Sequence, residues 1–343
     1  MKAAEKTGPK LQKLIELFAG KAYLVIIIQD NPDPDCIAAA VALRKLANNL
    51  AGLQCSIACG GTVGRGENRA LVKYLGLNLR PCEEIDYSKF DLVATVDTQP
   101  GTGNNSLPQD VVPDIVVDHH PIRRATRAVP CTDISSGYGS TSTIFVEYLI
   151  EGGITPETPL ATALLYGIRS DTQDLGREAA RADIDAIHFL YPFANKRMLS
   201  VIQRGKVPRV YYQMLANALR NARVQGPAIV TELGHIDNPD MIAEVADLLL
   251  REDETTWTMC TGLWKEKIMI SIRTSEENLA EKVIKRMVFR KGTGGGHLTY
   301  AGGQIPLKRG TKTERQEMEK HIEQKFFKAI GADADSTSRL VKA

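Results

Sequence analysis

The sequence predicts an α/β protein in which a domain built on a mostly parallel sheet, with helices on both faces, is followed by a smaller α+β domain across a cleft. Three observations predict it. Short β-branched runs alternate with amphipathic stretches from residue 22 to about 190, a new strand-and-helix series starts after residue 222, and 343 residues suit two domains.

The first apolar run, AYLVIII at 22–28, is seven residues long. That is far short of the roughly 20 a membrane helix needs, so it reads as a buried strand. CIAAAVALRKLANNL, from Cys36, has helical spacing, DLVATV and DIVV read as strands, and helices are expected over 140–151 and 158–169. Residues 1–190 form the first domain. Residues 191–222, basic and broken by Pro208, read as a helical linker. PAIVTEL, a helix at 239–251, the strands TTWTMCTGLW and KIMISIRT, a helix at 278–289 and a Gly-rich loop fill a second domain over 223–335. The polar end, 336–343, is expected to fray.

A formal net charge of +2 gives no long-range basic field, so tight binding to long duplex nucleic acid is not expected, while a small anionic substrate remains compatible. No charged segment followed by an apolar stretch and a small-residue cleavage site opens the chain, so a cytoplasmic, non-membrane protein is expected. The six cysteines include no C-x-x-C pair and read as reduced, mostly structural thiols. The Cys55–Cys59 spacing lacks the second pair a zinc site requires.

Four clusters carry the chemistry. Q-D-N-P-D-P-D at 29–35 follows the first strand, and its two prolines stiffen a turn that aims Asp33 and Asp35 at one side. Asp97 ends DLVATV, Asp118-His119-His120 follows DIVV, and Ser170-Asp171-Thr172 follows ATALLYGIR. Each alone is an ordinary cap or turn. Four of them at element ends of one α/β sheet, where ligands bind, argue for a metal centre. Many carboxylates with imidazole and no thiolate suit Mn²⁺ or Mg²⁺, and two such ions about 3.5–4 Å apart would generate a hydroxide and clamp an in-line phosphoryl displacement. Downstream, KGTGGGHLTYAGG at 291–303 offers Gly294, Gly295 and Gly296 as an anion-binding backbone nest, with His297 as a donor, and Arg273 in ISIRT is a second cation for phosphate.

These residues, in this order, resemble the DHH phosphoesterase superfamily with its DHH-associated C-terminal domain, over about residues 20–335. N-P-D-P-D, V-D-T, D-H-H and S-D-T look like its metal motifs, and G-G-G-H-x-x-x-A-G-G looks like the signature of its second domain. The resemblance implies that Asp33, Asp35, Asp97, His119 and Asp171 hold two Mn²⁺ ions, or Mg²⁺ or Co²⁺, with Asp97 bridging. Asp118 and His120 then orient the ligands or face the phosphate, and Arg273, His297 and the glycines grip the substrate. Gln29 stands where the family pattern has a histidine. An amide is the weaker ligand, which predicts looser binding of one ion or a regulator that binds nucleotides without cleaving them. The size and domain order look most like the branch that degrades short oligoribonucleotides or linear dinucleotides such as pApA and dephosphorylates adenosine 3′,5′-bisphosphate. Cyclic-dinucleotide phosphodiesterases and exopolyphosphatases share the motifs, and the glycine loop argues against an inorganic pyrophosphatase. Family analogy implies a homodimer.

Overall fold

The structure is a computed structural model describing residues 4–176, 179–276, 279–296, 298–332 and 337–341. The chain divides into two compact units, Met1–Lys206 and Val207–Ala343.

The first unit runs α1 (Ala4–Phe18), β1 (Tyr23–Ile27), α2 (Pro34–Ala51), β2 (Gln54–Cys59), α3 (Gly66–Tyr74), β3 (Leu79–Pro81), β4 (Leu92–Val96), β5 (Ile115–Asp118), β6 (Cys131–Ile134), α4 (Thr141–Glu151), α5 (Thr158–Asp171), α6 (Arg181–Leu190) and α7 (Lys196–Gln203). Its sheet has the order β3-β2-β1-β4-β5-β6, with every pairing parallel. Leu24 and Ile26 of β1 face one core and Val25 and Ile27 the other, which is why that strand is apolar at consecutive positions. Pro34 at the first turn of α2 and the left-handed Gly52 at its end (φ 72°) mark where that helix starts and stops.

Helices cover only one face. The core shared by α1, α2, α4 and α5 lies on the Leu24/Ile26 side, whereas Val25, Ile27 and Val93 pack against Cys82, Ile85, Tyr87, Phe90, Leu107 and Val111, which belong to 3-10 turns and loops. The expectation of helices on both faces is corrected to this extent. The connections from β3 to β4, β4 to β5 and β5 to β6, which would have carried the second layer, contain no α-helix. The strand order reverses at the adjacent β1 and β4, so their carboxyl ends flank the crevice in which such sheets bind ligands.

The second unit runs α8 (Arg209–Asn221), β7 (Arg223–Gln225), β8 (Ala228–His235), α9 (Asp240–Leu249), β9 (Trp257–Trp264), β10 (Lys267–Thr274), α10 (Ala280–Val288), β11 (Thr293–Gly296), β12 (Tyr300–Pro306), α11 (Lys312–Ile330) and β13 (Thr337–Arg339). Its mixed sheet, ordered β11-β12-β10-β9-β8-β7-β13, packs α10 and α11 on one face and α8 and α9 on the other. The expected linker therefore divides: α7 buries Leu199 and Ile202 in the first unit's core, and α8, capped by Pro208, buries Ala218 in the second's. The expected fraying of the tail is corrected at Thr337–Arg339, which pairs antiparallel with β7. Among the described residues no helix is long and apolar enough to cross a membrane.

Candidate metal centre

The carboxyl ends of β1, β4 and β5 and the helix termini above them bring the predicted acidic residues and histidines together. Asp33 caps α2, its Oδ1 accepting from Cys36 N at 2.9 Å. Asp35, two residues on and fully buried, accepts from the backbone N–H groups of Thr141 (2.7 Å) and Ser142 (2.8 Å) in the first turn of α4. Gly167 of α5 permits this approach, because a Cβ there would lie 2.5 Å from Ser142 Oγ and 3.1 Å from Asp35 Cα.

Asp97, just past β4, has a left-handed backbone (φ 57°), a costly conformation for a non-glycine residue and one concentrated at functional sites. Its Oδ1 accepts from Thr141 Oγ1 (2.7 Å), and Gln29 Nε2 donates to both its Oδ2 (2.7 Å) and its carbonyl (3.0 Å). Asp118, at the end of β5, accepts from Gln99 Nε2 (2.7 Å), His120 N (3.1 Å) and His120 Nδ1 (2.8 Å). Buried Gln99 also accepts from Arg123 N and Thr126 Oγ1, each at 2.8 Å, and so ties Asp118 to the loop that follows it.

His119 donates through Nδ1 to the Tyr138 carbonyl at 3.3 Å, which points Nε2 at the acids. Nε2 lies 3.1 Å from Asp171 Oδ2 and 3.6 Å from Asp97 Oδ1, yet neither approach has hydrogen-bond alignment, and the atom is buried without a hydrogen-bond partner. An imidazole nitrogen turned towards several carboxylates is the donor arrangement of a metal ligand once it sheds its proton. Ligand atoms lie within 4.8 Å of one another in three overlapping groups: Asp35–His119–Asp171, Asp33–Cys36–Asp97, and Asp97–Asp118–His119–His120. The residues fit divalent cations.

The electrostatics agree. Burial, reinforced by the surrounding carboxylates, pushes Asp97 well above the usual carboxylate range, and burial with Asp171 raises Asp33. Burial and Asp171 push Asp35 up to about 7. Burial disfavours the charged form of His119, but Asp171, Asp35 and Asp118 outweigh it and raise the imidazole to about 10. Asp118 alone is lowered, its burial being outweighed by His120 and Gln99. Crowded acids that resist ionisation are relieved by a bound cation.

Sequence reasoning missed Thr141, Gln99, Gly167 and Cys36 as parts of this centre. Only Thr141 carries a signal, in the Ser/Thr run 140–143 that opens α4.

In the second unit Arg273 is 14% exposed, paired with Asp247 of α9, donating to Ser271 Oγ at 2.8 Å and lying over the Tyr300 ring at 5.6 Å. The glycine triplet is not a nest. Gly294–Gly296 form the edge strand β11, paired with β12, and none has a positive φ. Gly294 and Gly303 face α10, where a Cβ would meet Ile284 at 3.0 and 2.9 Å; of the opposed pair, Gly295 faces open space and a Cβ at Gly302 would meet Ile270 O at 3.8 Å, an ordinary contact. The result is a patch of bare backbone on the same face of the sheet as Arg273 and Tyr300. His297 lies outside the described residues.

A model of the DHH family N-terminal domain matches residues 24–168, and one of the DHHA1 domain matches residues 225–327. The chain belongs to the DHH superfamily of phosphoesterases. An uncharacterized protein of Methanocaldococcus jannaschii is 35% identical over 305 residues, covering 88% of this chain and 62% of that protein. A probable manganese-dependent inorganic pyrophosphatase of Streptococcus agalactiae is 29% identical over 150 residues, 43% of this chain and 48% of that protein. The chain thus spans less than two thirds of either relative. An exopolyphosphatase-related protein from Bacteroides fragilis has the same fold, with a TM-score of 0.74 at 14% identity, covering 94% of this chain and 98% of that one. The manganese-dependent relative and the acidic centre together point to divalent metal use.

Proposed function

We propose that this protein is a Mn²⁺-dependent hydrolase of short nucleotides, acting on short oligoribonucleotides, linear dinucleotides such as pApA, or adenosine 3′,5′-bisphosphate. The observation that carries the proposal is the buried Nε2 of His119, which makes no aligned hydrogen bond and faces Asp97 and Asp171 at ion-pair distance, with Asp35 in the same ligand group. Asp35, His119 and Asp171 would hold one cation, and Asp33 with Asp97 would hold a second. When bound, such ions supply Lewis acidity at a phosphoryl oxygen and lower the pKa of water.

The chain's own residues position the reaction. Thr141 and the Tyr138 carbonyl fix the orientation of Asp97 and His119. Asp118 accepts from His120 Nδ1 and so orients that ring for a proton-donating role towards a phosphate oxygen or the leaving group. In the second unit, Arg273 supplies a planar cation for phosphate, and Tyr300 with the bare Gly295/Gly302 backbone offers a flat surface for a base.

One contact favours a second reading. Gln29 Nε2, at 2.7 Å from Asp97 Oδ2, occupies a position from which the family's histidine would bind metal, and so supports a nucleotide-binding regulator without turnover. Incubating the purified chain with Mn²⁺ and adenosine 3′,5′-bisphosphate, pApA, a five-residue RNA, cyclic di-AMP or polyphosphate separates the readings. Release of phosphate or mononucleotide from the first three supports the hydrolase. Turnover of only the last two reassigns its substrate, and nucleotide-dependent thermal stabilisation without turnover supports the regulator.

A further inference from the structure

The position that departs from the family pattern leaves the Asp33–Asp97 side of the centre one ligand short. Gln29 does not fill the gap, because its amide nitrogen faces Asp97, donating to the carboxylate and the carbonyl alike. Flipping the amide would set two oxygens against each other at 2.7 Å, so the hydrogen bonds fix the nitrogen there. The atom that completes a triangle with Asp33 and Asp97 is Cys36 Sγ: the three ligand atoms lie within 4.8 Å of one another, close to the separation of ligands around one ion.

Cys36 is fully buried in the first turn of α2, one residue after Asp35. Its thiol donates weakly to the Asp33 carbonyl at 3.4 Å, beside the carboxylate that its own N–H caps. The other five cysteines belong to none of the three ligand groups.

We propose that Cys36 supplies a thiolate to the ion held by Asp33 and Asp97, so that this subsite contains sulfur while Asp35, His119 and Asp171 hold the other ion with oxygen and nitrogen alone. The inference rests on the metal centre of the proposed function. As the S–M bond forms, the thiol S–H breaks and its proton passes to solvent; no oxidant or reductant takes part. A thiolate shifts the subsite's preference from Mn²⁺ towards Co²⁺, Zn²⁺ and Cd²⁺, so the two subsites prefer different ions.

The test is an anaerobic Co²⁺ titration of the metal-free full chain, followed by absorption. The expected result is a near-ultraviolet thiolate-to-cobalt charge-transfer band that saturates at one ion per chain and is missing in Cys36→Ser. That variant should bind Cd²⁺ about tenfold or more weaker while its Mn²⁺ affinity changes less than about threefold. Cadmium NMR of the unmodified chain reads the same ligation without a variant, through one resonance shifted towards the thiolate range. Cobalt binding without the band, or a band that persists in Cys36→Ser, overturns the sulfur ligand and leaves the hydrolase standing. No cobalt binding at all overturns the metal centre as well.

Discussion

Thr141 joins two carboxylates: its hydroxyl donates to Asp97 Oδ1 at 2.7 Å and its backbone N–H to Asp35 Oδ2 at 2.7 Å. The same hydroxyl accepts from His119 N at 3.3 Å. One residue at the start of α4 therefore sets the spacing of groups contributed by α2, β4 and β5. Thr141→Val is isosteric but lacks the two hydroxyl bonds, to Asp97 and from His119 N, while keeping the backbone bond to Asp35, and should weaken Mn²⁺ binding by about 10–100-fold in calorimetry, while Thr141→Ser stays near wild type.

The metal-free centre is electrostatically strained, so removing one charge should stabilise the protein even as it destroys the site. Asp97→Asn is expected to raise the Tm of the metal-free protein by about 3–6 °C, the equivalent of roughly 1–2 kcal/mol. It should also abolish the stabilisation that Mn²⁺ gives the parent. Differential scanning calorimetry with and without the ion reads both.

Stability should fall with pH when metal is absent. Asp35 is raised to about 7 from an ordinary 3.8, so its contribution is fully present below 3.8 and is lost as pH rises through 7. His119 is raised to about 10 from 6.5, so its contribution is complete below 6.5 and is lost as pH approaches 10. Both act in one direction. The metal-free Tm should be higher near pH 5.5 than near pH 8.5, and added Mn²⁺ should stabilise more at the higher pH, where its ligands have shed their protons.

Gln29→His replaces the amide with an imidazole beside Asp97. It is expected to tighten the weaker of two Mn²⁺ binding events by about tenfold, with little change in the tighter one, in an equilibrium titration.

Gly167→Ala tests the packing beneath the site. The added Cβ would contact Ser142 Oγ and Asp35 Cα, so either α5 or the start of α4 must shift. A loss of about 1–3 kcal/mol in stability and a drop in metal affinity are expected together, measured by denaturant unfolding and calorimetry.

The acidic residues were legible because each directly follows a recognisable apolar strand or helix, which places it at a sheet end before any tertiary contact is known. The four clusters do converge, as the groupings around Asp97 and His119 record. What supports them was not legible. Gln99, Gly167 and Tyr138 act through contacts between residues 19 to 132 positions apart, as in the Gln99–Asp118 bond at 19 residues, and no local pattern marks them. Short strands such as Leu79–Pro81 fall below the length at which periodicity speaks. The glycine run read as a loop because glycine disfavours strands. It forms a strand because Ile284 and Val288 of α10 lie against Gly294 and Gly303 too closely for any side chain at those positions.

The central claim, metal-dependent phosphoester hydrolysis at this centre, is tested most directly by the Mn²⁺-dependent release of mononucleotide from pApA, with Asp97→Asn beside the parent. Turnover that requires the ion and disappears in the variant is the predicted result. Turnover that survives in Asp97→Asn or without divalent metal, or nucleotide binding that never leads to cleavage, would contradict it.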